Sequence, residues 1–309
     1  MSDIVFTGCP ACGEPAPQTL FEATLFEKPC PIRKCSRCGL VFKAWFPGPE
    51  ELSSIYSMNY SAFRAPPVPD PADVNSAKQK LDRCARLLSH SPSRRPRLLD
   101  VGCGAGGFVR IARSLGYAAD GIDPFLPLGQ SDEGLRRASP RDLAAQSYDI
   151  VVLLNVAEHS TNPVELFDSV RRLLAPGGVL LITCPYGDSL ARRFHKDRWG
   201  HLALDEHVLF WTQRSLTRLL REVGFRGKLS VRIAGSPFPF GRGHGPGVGA
   251  GSDCGIPPSP SPSPGTSLQQ RAWSVARRIQ RAERLANLVR HLVHWTRTGD
   301  YLEYAIAVS

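Results

Sequence analysis

The run Arg97-Leu98-Leu99-Asp100-Val101-Gly102-Cys103-Gly104-Ala105-Gly106-Gly107-Phe108 places a carboxylate directly before glycines at alternate positions. Glycine has no Cβ and reaches backbone angles closed to other residues, so a ligand can lie against the main chain. A second acid, Asp123, ends the next apolar stretch (Tyr117-Ala118-Ala119-Asp120-Gly121-Ile122), where an acid receives ribose hydroxyls. No Lys-Ser or Lys-Thr pair follows the glycines, which argues against a phosphate-cradling NTPase loop. An acid at the head of the turn suits a ligand with positive charge better than a pyrophosphate.

Four of the nine cysteines form a second constellation. Cys9-Pro10-Ala11-Cys12-Gly13 and Cys35-Ser36-Arg37-Cys38-Gly39 are two CxxC knuckles separated by 22 residues. Each sets two thiolates on a tight turn, and two such turns close a tetrahedral zinc site. With Cys9, Cys12, Cys35 and Cys38 filling all four positions, the Zn2+ is structural. A module of this size needs such a staple to be stable. Cys30, Cys84, Cys103, Cys184 and Cys254 share no spacing and read as packing or loop residues.

The elements that must position these groups follow from periodicity and breakers. An amphipathic helix over 73–89 leads into strand one at 97–100, and a helix over 108–115 follows the glycines. Strand two ends at Ile122, and a short third strand is expected at 135–139. Tyr148–Leu154 is an apolar run of the kind a parallel sheet buries on both faces, and it ends in Asn155-Val156-Ala157-Glu158-His159. Asn162 caps the next helix with Pro163 in its first turn. Strand five is expected at 179–183, a helix at 213–223, strand six at 229–233, and an antiparallel last strand at 301–308. In a doubly wound sheet ligands sit at the carboxyl ends of the strands. His159 is therefore placed to face the reacting group, or else is a capping or core-satisfied histidine.

The blocks LLDVGCGAGGF, GIDP, YDIVVLLNVAEH and LLAPGGVLLITCP, in this order and spacing, resemble the class I S-adenosylmethionine (SAM)-dependent methyltransferases, from Arg97 to about Phe225. The resemblance implies an α/β fold: a doubly wound, Rossmann-like seven-stranded sheet, here preceded by a four-cysteine zinc-ribbon module. It implies SAM as cofactor, held by Asp100, Gly102, Cys103, Gly104, Gly106, Asp123, Pro124, Asp142, Asn155 and Tyr60. Asp142 stands where the family's acid takes the adenine amino group. Tyr56 and Tyr60 match a segment lying over the cofactor, although packing aromatics would look the same. His207-Val208-Leu209-Phe210-Trp211-Thr212 loosely matches a His-Leu-x-x-Phe-Ser/Thr segment over the acceptor pocket. His207 and His159 are thus the candidate bases, since methyl transfer to a hydroxyl needs its proton removed.

These readings divide the chain into a zinc ribbon (1–45), a connector with a cofactor-covering helix (46–90), a methyltransferase core (91–234), a Gly/Pro/Ser-rich linker expected to be disordered (235–268), and a basic amphipathic helix with the last strand (269–309). The net charge is +10, with seven arginines against Glu283 between Arg271 and Arg297. That stripe is confined to one late helix, so a nucleic-acid partner has modest support. The absence of a signal-type or membrane-spanning apolar run makes the cytoplasm the expected compartment. The leading expectation is methylation of a small-molecule acceptor, sugar-like or a secondary metabolite. RNA methylation using the zinc ribbon and basic surface is the alternative. A non-catalytic binding protein is the third reading. Nothing in the sequence gives an oligomeric state.

Overall fold

The computed structural model describes residues 3–48, 50–51, 69–89, 95–126, 134–202, 206–234 and 300–308. Its largest unit is a seven-stranded sheet made of β6 (Arg97–Val101), β7 (Ala118–Ile122), β8 (Leu135–Arg136), β9 (Tyr148–Leu154), β10 (Leu174–Pro185), β12 (Leu229–Ala234) and β13 (Tyr301–Ala307). The strand order is β12-β13-β10-β9-β6-β7-β8, with β13 antiparallel to both its neighbours and β6 to β10 parallel. The chain therefore reverses its winding beside β6, and open α/β sheets bind their ligands at such a switch point, at the strands' carboxyl ends. Six of the seven residues of β9 are fully buried, as a parallel strand covered on both faces requires.

Helices α1 (Pro71–Ala85), α2 (Gly107–Ser114), α3 (Pro163–Leu173), α4 (Leu190–His195) and α5 (Gln213–Glu222) are set by local signals. Asp70 caps α1 through the Ala72 amide, and Asn162 caps α3 through the Glu165 amide with Pro163 at the first position. Thr212 and Ser215 form a capping box that opens α5. The expected helix over 73–89 begins two residues early and ends at Ala85, with Leu87 and Leu88 still packing on the core from the following turn. The third strand is corrected from 135–139 to Leu135–Arg136. Ser139 leaves the sheet because its amide and hydroxyl both donate to the Asp142 carboxylate, closing a capping box around Pro140. Strand five also begins earlier than expected, at Leu174, with a bulge before Val179 that absorbs the Pro-Gly-Gly sequence.

The amino-terminal module contributes β1 (Ile4–Val5), β2 (Gln18–Leu25), β3 (Lys28–Lys34), β4 (Val41–Lys43) and β5 (Trp45–Phe46). Its main sheet does not end with its own chain segment. β11 (Leu209–Phe210), from the His207 segment, pairs antiparallel with β4 and completes the order β11-β4-β3-β2. One apolar cluster consequently runs from Phe6, Ile32, Phe42 and Phe46 of the module into Phe210, Trp211 and Leu216 of the core. The second knuckle is fixed to α5 as well, since Arg214 donates to the Arg37 carbonyl at 2.7 Å.

Residues 235–299, covering the expected linker and basic helix, lie outside the described residues, as do Tyr56 and Tyr60.

Candidate active site and zinc centre

The glycine turn carries the strain its composition foretells. Gly102, Gly104 and Gly106 have φ values of 74°, 50° and 75°. A Cβ on Gly102 would lie 2.5 Å from Val156 Cγ2, and one on Gly106 would lie 2.6 Å from Leu135 Cδ1. The turn after β6 is thus pressed against the turn after β9. Asp100 is buried at the head of this turn, and its Oδ1 has no hydrogen-bond partner. Burial first, and the neighbouring Asp123 charge second, push its carboxyl up to about 8. Asp123 is also buried; its two oxygens accept from the Gly104 amide at 3.1 Å and the Phe125 amide at 2.8 Å. A buried carboxylate with an unsatisfied oxygen beside a glycine cradle is the arrangement a cationic amino group completes, so these residues fit SAM.

The remaining predicted cofactor residues are spread around this turn. Cys103 turns its thiol into the core, and burial pushes it up to about 12, so only its backbone belongs to the loop. Pro124 is exposed, and its carbonyl accepts from Arg137. Asn155 follows β9 with φ 56°, its amide bonded to the Thr183 carbonyl at 2.9 Å. Asp142 is exposed and engaged with Ser139. Beside the turn, a cavity of about 240 Å³ between α1 and α2 is lined by Ala77, Lys80, Gly107, Phe108 and Leu154, among others.

The two candidate bases come together. The rings of His159 and His207 lie edge to face at 4.9 Å, although 47 residues separate them. His207 Nδ1 is 2.8 Å from the His201 carbonyl, and His159 Nδ1 is 2.9 Å from the Glu206 carbonyl. Burial lowers His159 to about 4 and His207 well below the ordinary imidazole range, so both rings are neutral at pH 7. The segment carrying His207 is stitched on both sides. The Val208 and Leu209 amides donate to the Glu158 carbonyl, and the Lys43 amide donates to the Val208 carbonyl. Trp211 Nε1 adds a 2.9 Å bond to the Ala157 carbonyl.

Glu158 was missed at the sequence level. It is fully buried beside these rings, with His207 Nε2 4.0 Å from its Oε1, and burial pushes its carboxyl up to about 8. The signal was present as an acid immediately before His159 at a strand end.

In the module, Cys9 and Cys38 hold their sulfurs 3.6 Å apart, and Cys12 and Cys35 hold theirs 3.5 Å apart. All four sulfurs lie within 4.8 Å of one another. Zn–S bonds of about 2.3 Å in a tetrahedron set sulfur–sulfur edges near 3.8 Å, so the residues fit zinc. The Gly13 and Gly39 amides return to the Cys9 and Cys35 carbonyls at 2.9 Å, and the Cys38 amide points at the Cys35 sulfur at 3.4 Å. Positive φ at Gly13 and Gly39 makes these turns possible.

A doubly wound sheet with a glycine turn and buried acids at its switch point defines a Rossmann-like nucleotide-binding protein. Within that class, residues 75–228 match the family described as "Methyltransferase domain". The chain belongs to the class I SAM-dependent methyltransferases. It is 29% identical over 156 residues to a ubiquinone biosynthesis O-methyltransferase of Roseobacter denitrificans, covering 45% of this chain and 63% of that protein. It is 34% identical over 97 residues to the one from Cereibacter sphaeroides, covering 28% of this chain and 39% of that protein. The chain thus matches less than two thirds of the length of these relatives. Among solved structures it is similar to a SAM-dependent methyltransferase from Archaeoglobus fulgidus, at 16% identity and a TM-score of 0.47, covering 82% of this chain and 99% of that one. Among the described residues, no helix is long and apolar enough to cross a membrane.

Proposed function

We propose that this chain transfers a methyl group from SAM to a hydroxyl of a small-molecule acceptor. The observation that carries the reading is the junction of the glycine turn with the Glu158–His159–His207 cluster, through the contact of Gly102 with Val156. Bound SAM would supply a methyl carbon activated by positive sulfur, and Asp100 and Asp123 would hold its amino group and ribose. The chain has then to exclude water and align an acceptor oxygen behind that carbon. The oxygen gives up its proton as the C–O bond forms and the C–S bond breaks. His207 suits this task because a neutral ring with Nδ1 donated to a carbonyl carries its lone pair on Nε2. The relatives' names specify an O-methyltransferase acting in quinone biosynthesis, which supports oxygen as the acceptor atom.

The four cysteines would carry a structural zinc that holds β4, and through it β11 and His207, in place. In the test, labelled SAM is incubated with a panel of phenolic, sugar and other hydroxyl acceptors, and products are identified by mass spectrometry. A methyl ether is expected. Methylation at nitrogen or carbon only would reject the oxygen assignment, and a folded protein that does not bind SAM would reject the reading as a whole.

A further inference from the structure

Methyl transfer to oxygen uses the histidines but leaves Glu158 oddly built. Its side chain is completely buried, and among the described residues neither carboxylate oxygen has a hydrogen-bond partner. An ionised carboxylate in such a place is costly unless a cation joins it. One oxygen of Glu158 and one nitrogen each of His159 and His207 lie within 4.8 Å of one another. Each ring commits Nδ1 to a main-chain carbonyl, at 2.9 Å for His159 and 2.8 Å for His207. For His207 this leaves Nε2 on the Glu158 side, the orientation of a metal-binding histidine whose carbonyl partner fixes tautomer and ring plane, while the His159 ring is held by the Asn155 main chain as well.

We infer that Glu158, His159 and His207 bind a divalent transition-metal ion, at a centre distinct from the four-cysteine zinc. Two imidazoles and a carboxylate are a donor set for Zn2+, Fe2+ or Co2+, and three protein ligands leave a coordination position for water or an acceptor oxygen. Burial first, and the nearby Lys43 on β4 last, disfavour an imidazolium, which keeps both rings in the state that ligates. Where the site is the acceptor pocket proposed above, His207 Nε2 is a ligand once the ion is bound and no longer the base, and a hydroxyl bound to the ion would lose its proton to solvent near neutral pH.

The experiment titrates Co2+ into chelator-dialysed full-length protein that retains its cysteine-bound zinc. The visible spectrum separates the two centres, because thiolate ligands give intense charge-transfer bands and nitrogen–oxygen ligands only weak d–d bands. One further equivalent with weak bands is expected, with affinity falling at least about tenfold in Glu158→Gln and in His207→Ala. Co2+ should also raise the melting temperature of the wild type and not of Glu158→Gln, a near-isosteric change that keeps the fold. Absence of a second equivalent, or its persistence in Glu158→Gln, would overturn the site. Calorimetry of SAM binding on the same samples reports separately on the methyltransferase reading.

Discussion

Asp100 stores a protonation difference between folded and unfolded chains. Its carboxyl sits near 8 in the native protein and about 3.9 in an unfolded one. Across that window the native state holds a proton that the unfolded chain has released, so stability falls as pH rises and levels off above about 8. Thermal melts of the cofactor-free protein should show this decline, and Asp100→Asn should remove Asp100's share of it. Cofactor binding works in the opposite direction, since an ammonium beside Asp100 favours its ionised form. Calorimetry near pH 7 in buffers of different ionisation enthalpy should therefore report net proton release, and proton uptake would contradict the pairing. His207→Ala should lower turnover by about 10²–10⁴ with S-adenosylhomocysteine affinity nearly unchanged, measured by steady-state kinetics and calorimetry. Asp123→Ala should instead weaken cofactor binding itself.

At the level of elements, the β6 turn shows why the cofactor half of the site was legible. Asp100, the glycines and Asp123 are close in sequence, and their roles follow from a strand, a turn and a helix that local pattern predicts. Gly102→Ala tests this turn. It places a side chain at φ 74° and 2.5 Å from Val156 Cγ2, and should cost on the order of 1–3 kcal/mol, read from denaturant melts with cofactor affinity lowered in parallel. The proposed acceptor half was less legible. Leu209 and Phe210 pair with residues 41 and 42, and nothing local announces a strand of two residues whose partner is so distant in the chain. Glu158 was overlooked for a similar reason, because its burial comes from the His207 segment folding over it. The third strand was overdrawn because Ser139 and Asp142 prefer each other to the sheet.

Across the described residues, the seven-stranded and four-stranded sheets are not independent bodies, since the cluster that includes Phe42 also includes Phe210 and Trp211. Loss of the proposed zinc should therefore be felt at the His207 segment before the β6 turn. Cys35→Ser should lower zinc content from one per chain towards zero, loosen the module in hydrogen exchange and reduce turnover. Asp100, Asp123 and the β6 turn, lying elsewhere on the large sheet, should keep part of their cofactor affinity. A cysteine variant with full turnover would show that β11 holds its place without the ribbon.

The position of β13 has a consequence for how such a chain is made. It lies between β10 and β12, with Leu302, Tyr304 and Ile306 in the core, yet it is the last of the described strands in the sequence. A ribosome releasing the chain from its amino end delivers β10 and β12 with a gap between them and two unpaired edges facing it. Until the segment 301–307 emerges, that gap is open to any extended peptide, including one from a neighbouring nascent chain. The sheet can close only after synthesis has passed these residues, so chaperone occupancy on translating ribosomes should persist to the end of this strand and fall once it pairs.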